Sequence, residues 1–165
     1  MLILTHDFPD PDAIASAFAL QHLAQSAFGI EARIAYGGIV ERMENRAMVR
    51  TLRIPMHRFH PVLLKRHANV ALVDTQPAFQ NNPFPGNRKA ALVLDQHPSD
   101  TAPEAGLTIV DPDCGATCVV VAEALLQTGA EIPARVATAL AYGIEPRQVT
   151  LDIDDRPPDE AKPGP

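Results

Sequence analysis

Three short, continuously apolar runs constrain the fold of this chain most strongly. They occupy residues 1–5, 69–73 and 90–94, and two weaker runs occupy residues 32–36 and 107–110. Continuous rather than alternating apolar runs are typical of strands in a parallel sheet that is covered on both faces. The sequence therefore predicts an α/β fold with a mainly parallel, five-stranded sheet.

The segments between these runs have the patterns of helices. They are residues 13–28, 41–52, 117–127 and 134–142. Gly29, Gly129 and Gly143 follow three of them and are expected to end those helices. Alternating strands and helices predict a Rossmann-like arrangement with helices on both faces of the sheet. Tyr36 is followed by Gly37 and Gly38, which we interpret as a turn, with a close approach of the backbone to a ligand as the alternative.

Charge is distributed unevenly along the 165 residues, which have a net charge of −6. Residues 151–165 hold five acidic residues, two basic residues and four prolines, a composition typical of disorder. We therefore expect one folded domain over residues 1–150 and an acidic, proline-rich tail over 151–165. Residues 33–66 hold eight Lys or Arg and two Glu, which is compatible with an anionic partner.

Composition also limits the cellular compartments in which this protein is expected. No apolar run reaches the roughly 18 residues that a membrane span needs. Two cysteines, Cys114 and Cys118, are too few for a disulfide scaffold and fit a reducing environment. The expectation is a cytoplasmic protein that does not cross a membrane.

Each of the three strong apolar runs leads directly into an acid or an imidazole. His6 and Asp10 follow the first run, Asp74 the second, and Asp95 and His97 the third. Open α/β sheets bind ligands at the carboxyl ends of their strands. Carboxylates gathered there repel each other unless a cation neutralises them, and mixed imidazole and carboxylate ligands suit Mn²⁺, Fe²⁺, Zn²⁺ or Mg²⁺. The sequence predicts a divalent-metal site, although a single Asp of this kind can also cap a helix or a turn.

The stretch from His6 to Ser16, HDFPDPDAIAS, resembles the first motif of the DHH phosphoesterases, His-x-x-Pro-Asp-x-Asp-Ala-x-x-Ser. Later blocks follow in the family's order: VDT at 73–75, DQH at 95–97, GAT at 115–117 and ALAYGI at 139–144. The resemblance covers about residues 1–148. It implies a DHH-type domain that hydrolyses a phosphoester of a nucleotide or short oligonucleotide, as RecJ-type exonucleases and nano-RNases do.

The resemblance also implies roles by position. His6, Asp10 and Asp74 would bind one metal, and Asp12 with Asp74 would bind a second. The implied cation is Mn²⁺, or another divalent cation such as Mg²⁺. His97 is then a predicted catalytic residue directed at the substrate phosphate, with a hydrogen-bonded turn as the alternative.

Further site residues are predicted around this centre. Asp95 is predicted to be catalytic together with His97. Gly115 opens a helix whose N–H groups can hold a phosphate. Arg147 is a candidate phosphate contact or a surface residue. Arg42, Arg46 and Arg50, spaced four apart, form either a nucleotide-binding face or a solvated one.

The chain departs from the family pattern at two positions that serve the same metal. Gln96 stands where the family has His, and Arg147 stands where it has Asp. A neutral amide is a weaker ligand, and a guanidinium repels a cation. We therefore expect one metal site and a second that is disfavoured.

Two functions remain open from the sequence, with a purely structural domain whose acidic residues only cap turns as the third interpretation. The first is a metal-dependent phosphoesterase, a hydrolase acting on a phosphorylated small molecule or short oligonucleotide. The second is a catalytically inactive domain that binds a nucleotide or a partner protein. Members of the family generally carry a further C-terminal domain that closes the site. We expect a partner chain or a second copy to cover the open cleft here.

Overall fold

A computed structural model describes residues 1–148, with side chains described up to residue 144. The predicted tail over 151–165 lies outside these residues. Strands and helices alternate up to residue 73, as the sequence predicts, but the last three strands follow one another without a helix and are followed by two helices. In order, the elements are β1 (Leu2–Leu4), α1 (Pro11–Phe28), β2 (Arg33–Tyr36), α2 (Met43–Thr51), β3 (Met56–Arg58), α3 (Val62–Arg66), β4 (Val70–Val73), β5 (Ala90–Asp95), β6 (Ala105–Val110), α4 (Thr117–Thr128) and α5 (Ala134–Gln148).

The strands form one sheet in the order β3-β2-β1-β4-β5-β6, and every neighbouring pair is parallel. The α/β prediction is therefore confirmed, but the predicted number of strands is wrong: the sheet has six. The additional strand is β3, at one edge. It consists of only three residues, Met-His-Arg, and is mostly exposed, so it has no apolar run by which the sequence could reveal it.

The two faces of the sheet are covered unequally. On one face, α1, α2, α4 and α5 pack on strand side chains such as Ile3, Ile34 and Val73. On the other, the alternate side chains, including Leu4 and Leu72, pack against the five-residue α3 and the connection over residues 74–89. Among residues 1–148, no helix combines the length and the apolar character needed to cross a bilayer.

The connection over residues 74–89 is tied together by one amide side chain. Asn82 Nδ2 donates to Thr75 Oγ1, and to the carbonyl oxygens of Gln76 and Phe79, each at 2.9 Å. Its Oδ1 accepts from the N–H of Phe84 at 3.0 Å. Phe84 is buried with Leu4 and Leu72 in the hydrophobic cluster on this second face of the sheet, which we call the second core. These bonds hold an irregular segment against the sheet where a helix would otherwise be needed.

Glycines end two helices as predicted but not the third. Gly29 and Gly129 adopt left-handed conformations, with φ of 64° and 66°, and end α1 and α4. Gly143 does not end α5, which continues to Gln148. A Cβ at Gly143 would lie 2.8 Å from the Cβ of Ala15 and 3.1 Å from Cys118 Sγ. Glycine is therefore required there by the close approach of α5 to α1 and α4.

We expect Gly143→Ala to destabilise the fold by about 1 kcal/mol or more. Overpacking typically costs about 1–3 kcal/mol, which exceeds the roughly 1 kcal/mol that alanine gains over glycine in a helix. Urea denaturation measures the change. Gly86→Ala is the control, since a Cβ at Gly86 meets nothing within 4 Å. Equal stability of the two variants would contradict this account of α5.

Candidate metal centre

Three adjacent strands deliver the polar residues of the site to one edge of the sheet. Since β1, β4 and β5 are neighbours and parallel, their carboxyl ends bring His6, Asp74 and Asp95 together. Asp74 is the first residue after β4 and adopts a left-handed conformation with φ of 57°. Asp and Asn are the non-glycine residues that tolerate this conformation best. The chain turns sharply at Asp74, whose side chain is fully buried.

His6, Asp10 and Asp74 form the first group of possible metal ligands. Each offers one ligand atom, and these atoms all lie within 4.8 Å of one another. His6 Nε2 is 3.4 Å from Asp74 Oδ2 and 3.8 Å from Asp10 Oδ1. His6 Nδ1 donates to the carbonyl oxygen of Asp7 at 2.7 Å, which fixes the ring with Nε2 toward the carboxylates. Such an outer hydrogen bond is typical of histidines that ligate metals.

The oxygen atoms of Asp74 have different surroundings. Oδ1 accepts from Thr117 Oγ1 at 2.9 Å. Oδ2 is buried, and no hydrogen bond to it is found within residues 1–148. Buried carboxylate oxygens normally accept hydrogen bonds, so an unsatisfied one needs a physical reason. Asp74 Oδ2 faces His6 Nε2 at 3.4 Å, an ion pair when the ring is protonated. A divalent cation can take the place of that proton, and imidazole and carboxylate donors suit Mn²⁺ or Mg²⁺.

The charge of His6 is set by its neighbours. Burial by itself lowers the pKa of the ring, but the carboxylates of Asp10 and Asp74 and the carbonyl of Asp7 outweigh it and raise the pKa to about 10. In the metal-free protein, the imidazolium therefore supplies the positive charge that the carboxylates require. A cation binding here must displace that proton.

This pKa gives the metal-free protein a defined pH dependence. A raised pKa contributes stability that is fully present below the ordinary value of 6.5 and is lost as pH rises toward about 10. In chelator, we expect the unfolding free energy of the wild type to fall relative to that of His6→Gln over this range. Chemical denaturation at several pH values measures the difference. His57→Gln, an exposed histidine on β3, should follow the wild type; parallel curves for His6→Gln would contradict the assignment.

Asp74, Asp95 and His97 form a second, overlapping group. His97 Nδ1 donates to Asp95 Oδ1 at 2.8 Å and lies 3.7 Å from Asp74 Oδ1. The histidine side chain is 41% exposed, whereas both carboxylates are fully buried. The ring is thus held by Nδ1, and Phe79 contacts it edge-on with ring centroids 6.4 Å apart. This geometry places the predicted pair Asp95 and His97 beside the first group.

Gln76 supports this pair and was not anticipated from the sequence. Its side chain is completely buried. Nε2 donates to Asp95 Oδ2 at 2.8 Å and to the carbonyl oxygen of His97 at 2.7 Å. No motif marks an amide two residues after Asp74, so only the folded contacts reveal it. Gln76 joins the segment after β4 to the segment after β5.

Asp12 lies in neither group of the described residues. Its Oδ2 accepts from the N–H of Thr117 at 2.9 Å and its Oδ1 from the N–H of Cys118 at 2.8 Å. Burial, followed by the nearby charge of Asp74, raises the pKa of Asp12. The carboxylate is therefore the anion at the N-terminus of α4. A second-metal role for Asp12 remains a prediction, and it would compete with these two backbone bonds.

The remaining predicted residues occupy less defined positions. Gly115 is exposed ahead of α4, whose first two N–H groups are already bound by Asp12, so a phosphate there would need other donors. The phosphate contact predicted for Gly115 stays a prediction. Gln96 is buried, and its Nε2 has no hydrogen bond within the described part of the chain. The side chain of Arg147 lies outside the described side chains, so its role stays a prediction.

The glycine pair after β2 serves the loop that carries the first motif. A Cβ at Gly37 would collide with the side chain of Asp7, and one at Gly38 would lie 2.9 Å from the ring of Phe8. The N–H of Phe8 also donates to the carbonyl oxygen of Gly37 at 3.3 Å. The turn interpretation was thus incomplete, because the pair is needed for close packing against residues 7 and 8.

Comparisons with known proteins find similar sequences and similar folds. The sequence model described as "DHH family, N-terminal domain" matches residues 1–144. An uncharacterized protein of Methanocaldococcus jannaschii is 37% identical over 145 residues, which are 88% of this chain and 30% of that protein. The chain therefore spans less than a third of the length of this curated relative.

Two crystal structures share the fold. The first is a Methanococcus jannaschii protein assigned to the family II inorganic pyrophosphatases, with a TM-score of 0.66 and 22% identity, over 90% of this chain and 49% of that chain. The second is an exopolyphosphatase-related protein from Bacteroides fragilis, with a TM-score of 0.58 and 18% identity, over 89% of this chain and 45% of that one. This chain corresponds to about half of each.

Proposed function

The chain belongs to the DHH family, whose N-terminal domain it matches over residues 1–144. We propose that it is a divalent-metal-dependent phosphoesterase domain. The observation that carries the proposal is the convergence of His6, Asp10 and Asp74, whose ligand atoms all lie within 4.8 Å of one another. A structural cap or turn residue has no need of an imidazole and a second carboxylate beside it. The pyrophosphatase and exopolyphosphatase-related folds support the same reaction class.

His6, Asp10 and Asp74 would hold the cation, for which we propose Mn²⁺, with Mg²⁺ as the alternative. When bound, such an ion activates a water nucleophile and neutralises charge that develops on phosphoryl oxygens. Asp10 also accepts a hydrogen bond from the N–H of Ala13 at 3.0 Å, which positions its carboxylate at the start of α1. Each ligand is thus held by its own backbone contact or by burial.

His97 would position the substrate phosphate. Because Nδ1 donates to Asp95, Nε2 on the opposite side of the ring is directed away from Asp95. In its imidazolium form, in which both ring nitrogens are donors, a histidine oriented this way can donate a hydrogen bond to a phosphoryl oxygen as negative charge accumulates there. Asp95 is itself fixed by Gln76, so the pair keeps its orientation before substrate binds.

For the substrate we propose a nucleotide or a short oligonucleotide. Arg42, Arg46 and Arg50 are exposed on α2 or at its start and are spaced four residues apart. Residues with this spacing lie on one side of a helix, so their guanidinium groups can contact successive phosphates. Arg42 lines the same cavity as Asp10, so this basic side of α2 lies near the proposed metal centre.

A second candidate is a DHH domain without turnover that binds a nucleotide or a partner protein. Two observations favour it: Asp12 is occupied by the amides of α4, and the amide of Gln96 stands where the family has an imidazole. Under either function, a partner chain or a second copy could pack over the ends of the strands, and light scattering of the purified protein would detect a second copy.

The test compares hydrolysis by the wild type, His6→Gln and His57→Gln. Purified protein with Mn²⁺ or Mg²⁺ is assayed against a bis-aryl phosphodiester, short oligoribonucleotides and pyrophosphate. We expect turnover of at least one phosphoester that His6→Gln loses and His57→Gln retains. Saturable Mn²⁺ binding without turnover would favour the second candidate. Equal activity in His6→Gln would overturn the proposed site.

A further inference from the structure

A cavity of about 350 Å³ opens beside the metal centre. Asp10 belongs both to this cavity and to the first group of possible ligands. A molecule whose phosphate lies at the metal centre can therefore extend into the cavity. The other lining residues are Phe8, Pro11, Glu41, Arg42, Glu44, Asn45 and Tyr142.

An aromatic ring forms one wall of this cavity. The side chain of Phe8 is 51% exposed. Its backbone lies in the left-handed region with φ of 56°. Its ring packs closely over Gly38, where a Cβ would come within 2.9 Å. The ring is thus held from one side and open to the cavity. Large aromatic rings placed this way beside a polar site offer a stacking surface.

The charges on the cavity walls exclude a further phosphate. Asp10, Glu41 and Glu44 contribute three carboxylates, against the single guanidinium of Arg42. Carboxylates repel phosphate oxygens, but they accept hydrogen bonds from N–H groups. The cavity therefore fits a flat group that stacks on an aromatic ring and carries N–H donors.

We propose that this cavity binds the heteroaromatic base of a nucleotide whose phosphate lies at the metal centre. This inference rests on the proposed function for the position of the phosphate. It makes the preferred substrate a phosphoester that bears a base, because a bare chain of phosphates would place negative charge against the carboxylates. Phe8 would be the stacking residue and the chief source of the preference.

Equilibrium binding tests the subsite without requiring turnover. Calorimetric titration with Mg²⁺ present compares 5′-AMP with ribose 5-phosphate, which has the same sugar and phosphate but no base. We expect AMP to bind about tenfold more tightly or better, the range expected for stacking of one base on one aromatic side chain. Equal affinities in the wild type would overturn the proposal.

Variants of Phe8 identify the source of the preference. Phe8→Leu keeps an apolar side chain over Gly38 and should lose most of the preference for AMP, whereas Phe8→Tyr should keep it. Phe28→Leu is the matched control, since Phe28 is also exposed but ends α1 away from this cavity. Thermal melts confirm that each variant is folded. An unchanged preference in Phe8→Leu would overturn the assignment.

The two proposals can fail separately. If the protein hydrolyses phosphoesters but binds AMP no better than ribose 5-phosphate, the subsite is wrong and the proposed function stands. If no phosphoester is hydrolysed but the Phe8-dependent preference is found, the subsite stands in a domain that binds without turnover.

Discussion

Asp74→Asn is expected to abolish saturable Mn²⁺ binding and to lower phosphoester hydrolysis by more than about 100-fold. This loss exceeds the roughly 10- to 100-fold loss that is typical when a residue that only hydrogen-bonds to a metal ligand is replaced. Asp74 contributes to both groups of possible ligands and is buried. Asparagine keeps the shape and tolerates the left-handed φ of 57°, but it removes the charge. Calorimetry with Mn²⁺ and steady-state kcat/KM measure the two losses.

The rise in melting temperature that a bound cation produces should also disappear in Asp74→Asn, because a ligand stabilises only the form that binds it. Asp100→Asn is the matched control, since Asp100 is an exposed aspartate beyond β5. If Asp74→Asn bound Mn²⁺ with unchanged stoichiometry and affinity, the metal centre would have to lie elsewhere.

Asp12→Ala is expected to destabilise the metal-free protein by about 2–6 kcal/mol, because it leaves the buried N–H groups of Thr117 and Cys118 without acceptors at about 1–3 kcal/mol each. At this chain length, the loss corresponds to a fall of about 4–24 °C in melting temperature. Denaturation in chelator measures it.

The sign of this change separates two roles for Asp12. A carboxylate held only to ligate a cation would, without the cation, sit buried near Asp74 at a cost, and its removal would stabilise the protein. A carboxylate that anchors α4 gives the opposite result. Glu123→Ala, an exposed acid on α4, should change stability by less than about 0.5 kcal/mol. A more stable Asp12→Ala would show that the anchoring role is wrong.

The fold is predictable where the sequence carries short but continuous apolar runs. The strong runs at 1–5, 69–73 and 90–94 contain the three central strands β1, β4 and β5, because central parallel strands must be apolar on both faces. The edge strand β3 has no such requirement and was missed. Gly143 was misread because a glycine required by helix packing looks the same in sequence as a glycine that ends a helix.

The candidate site was predictable as a set of strand ends but not as a set of contacts. The positions of His6, Asp74 and His97 follow from strand order. The partners of Asp12 lie more than 100 residues away on α4, and no local pattern specifies them. Gln76 contacts Asp95 and His97 only because the segments after β4 and β5 meet in space. Such contacts depend on tertiary packing rather than on spacing.

The connection over residues 74–89 has a consequence for how the chain tolerates change. Its prolines, asparagines and glycine resemble an exposed loop, the usual place for proteolytic nicking and for inserted peptides. The bonds of Asn82 and the buried Phe84 instead make it the cover of one sheet face. Limited proteolysis should spare it, and an epitope tag inserted there would uncover the second core and displace Gln76 from the metal centre.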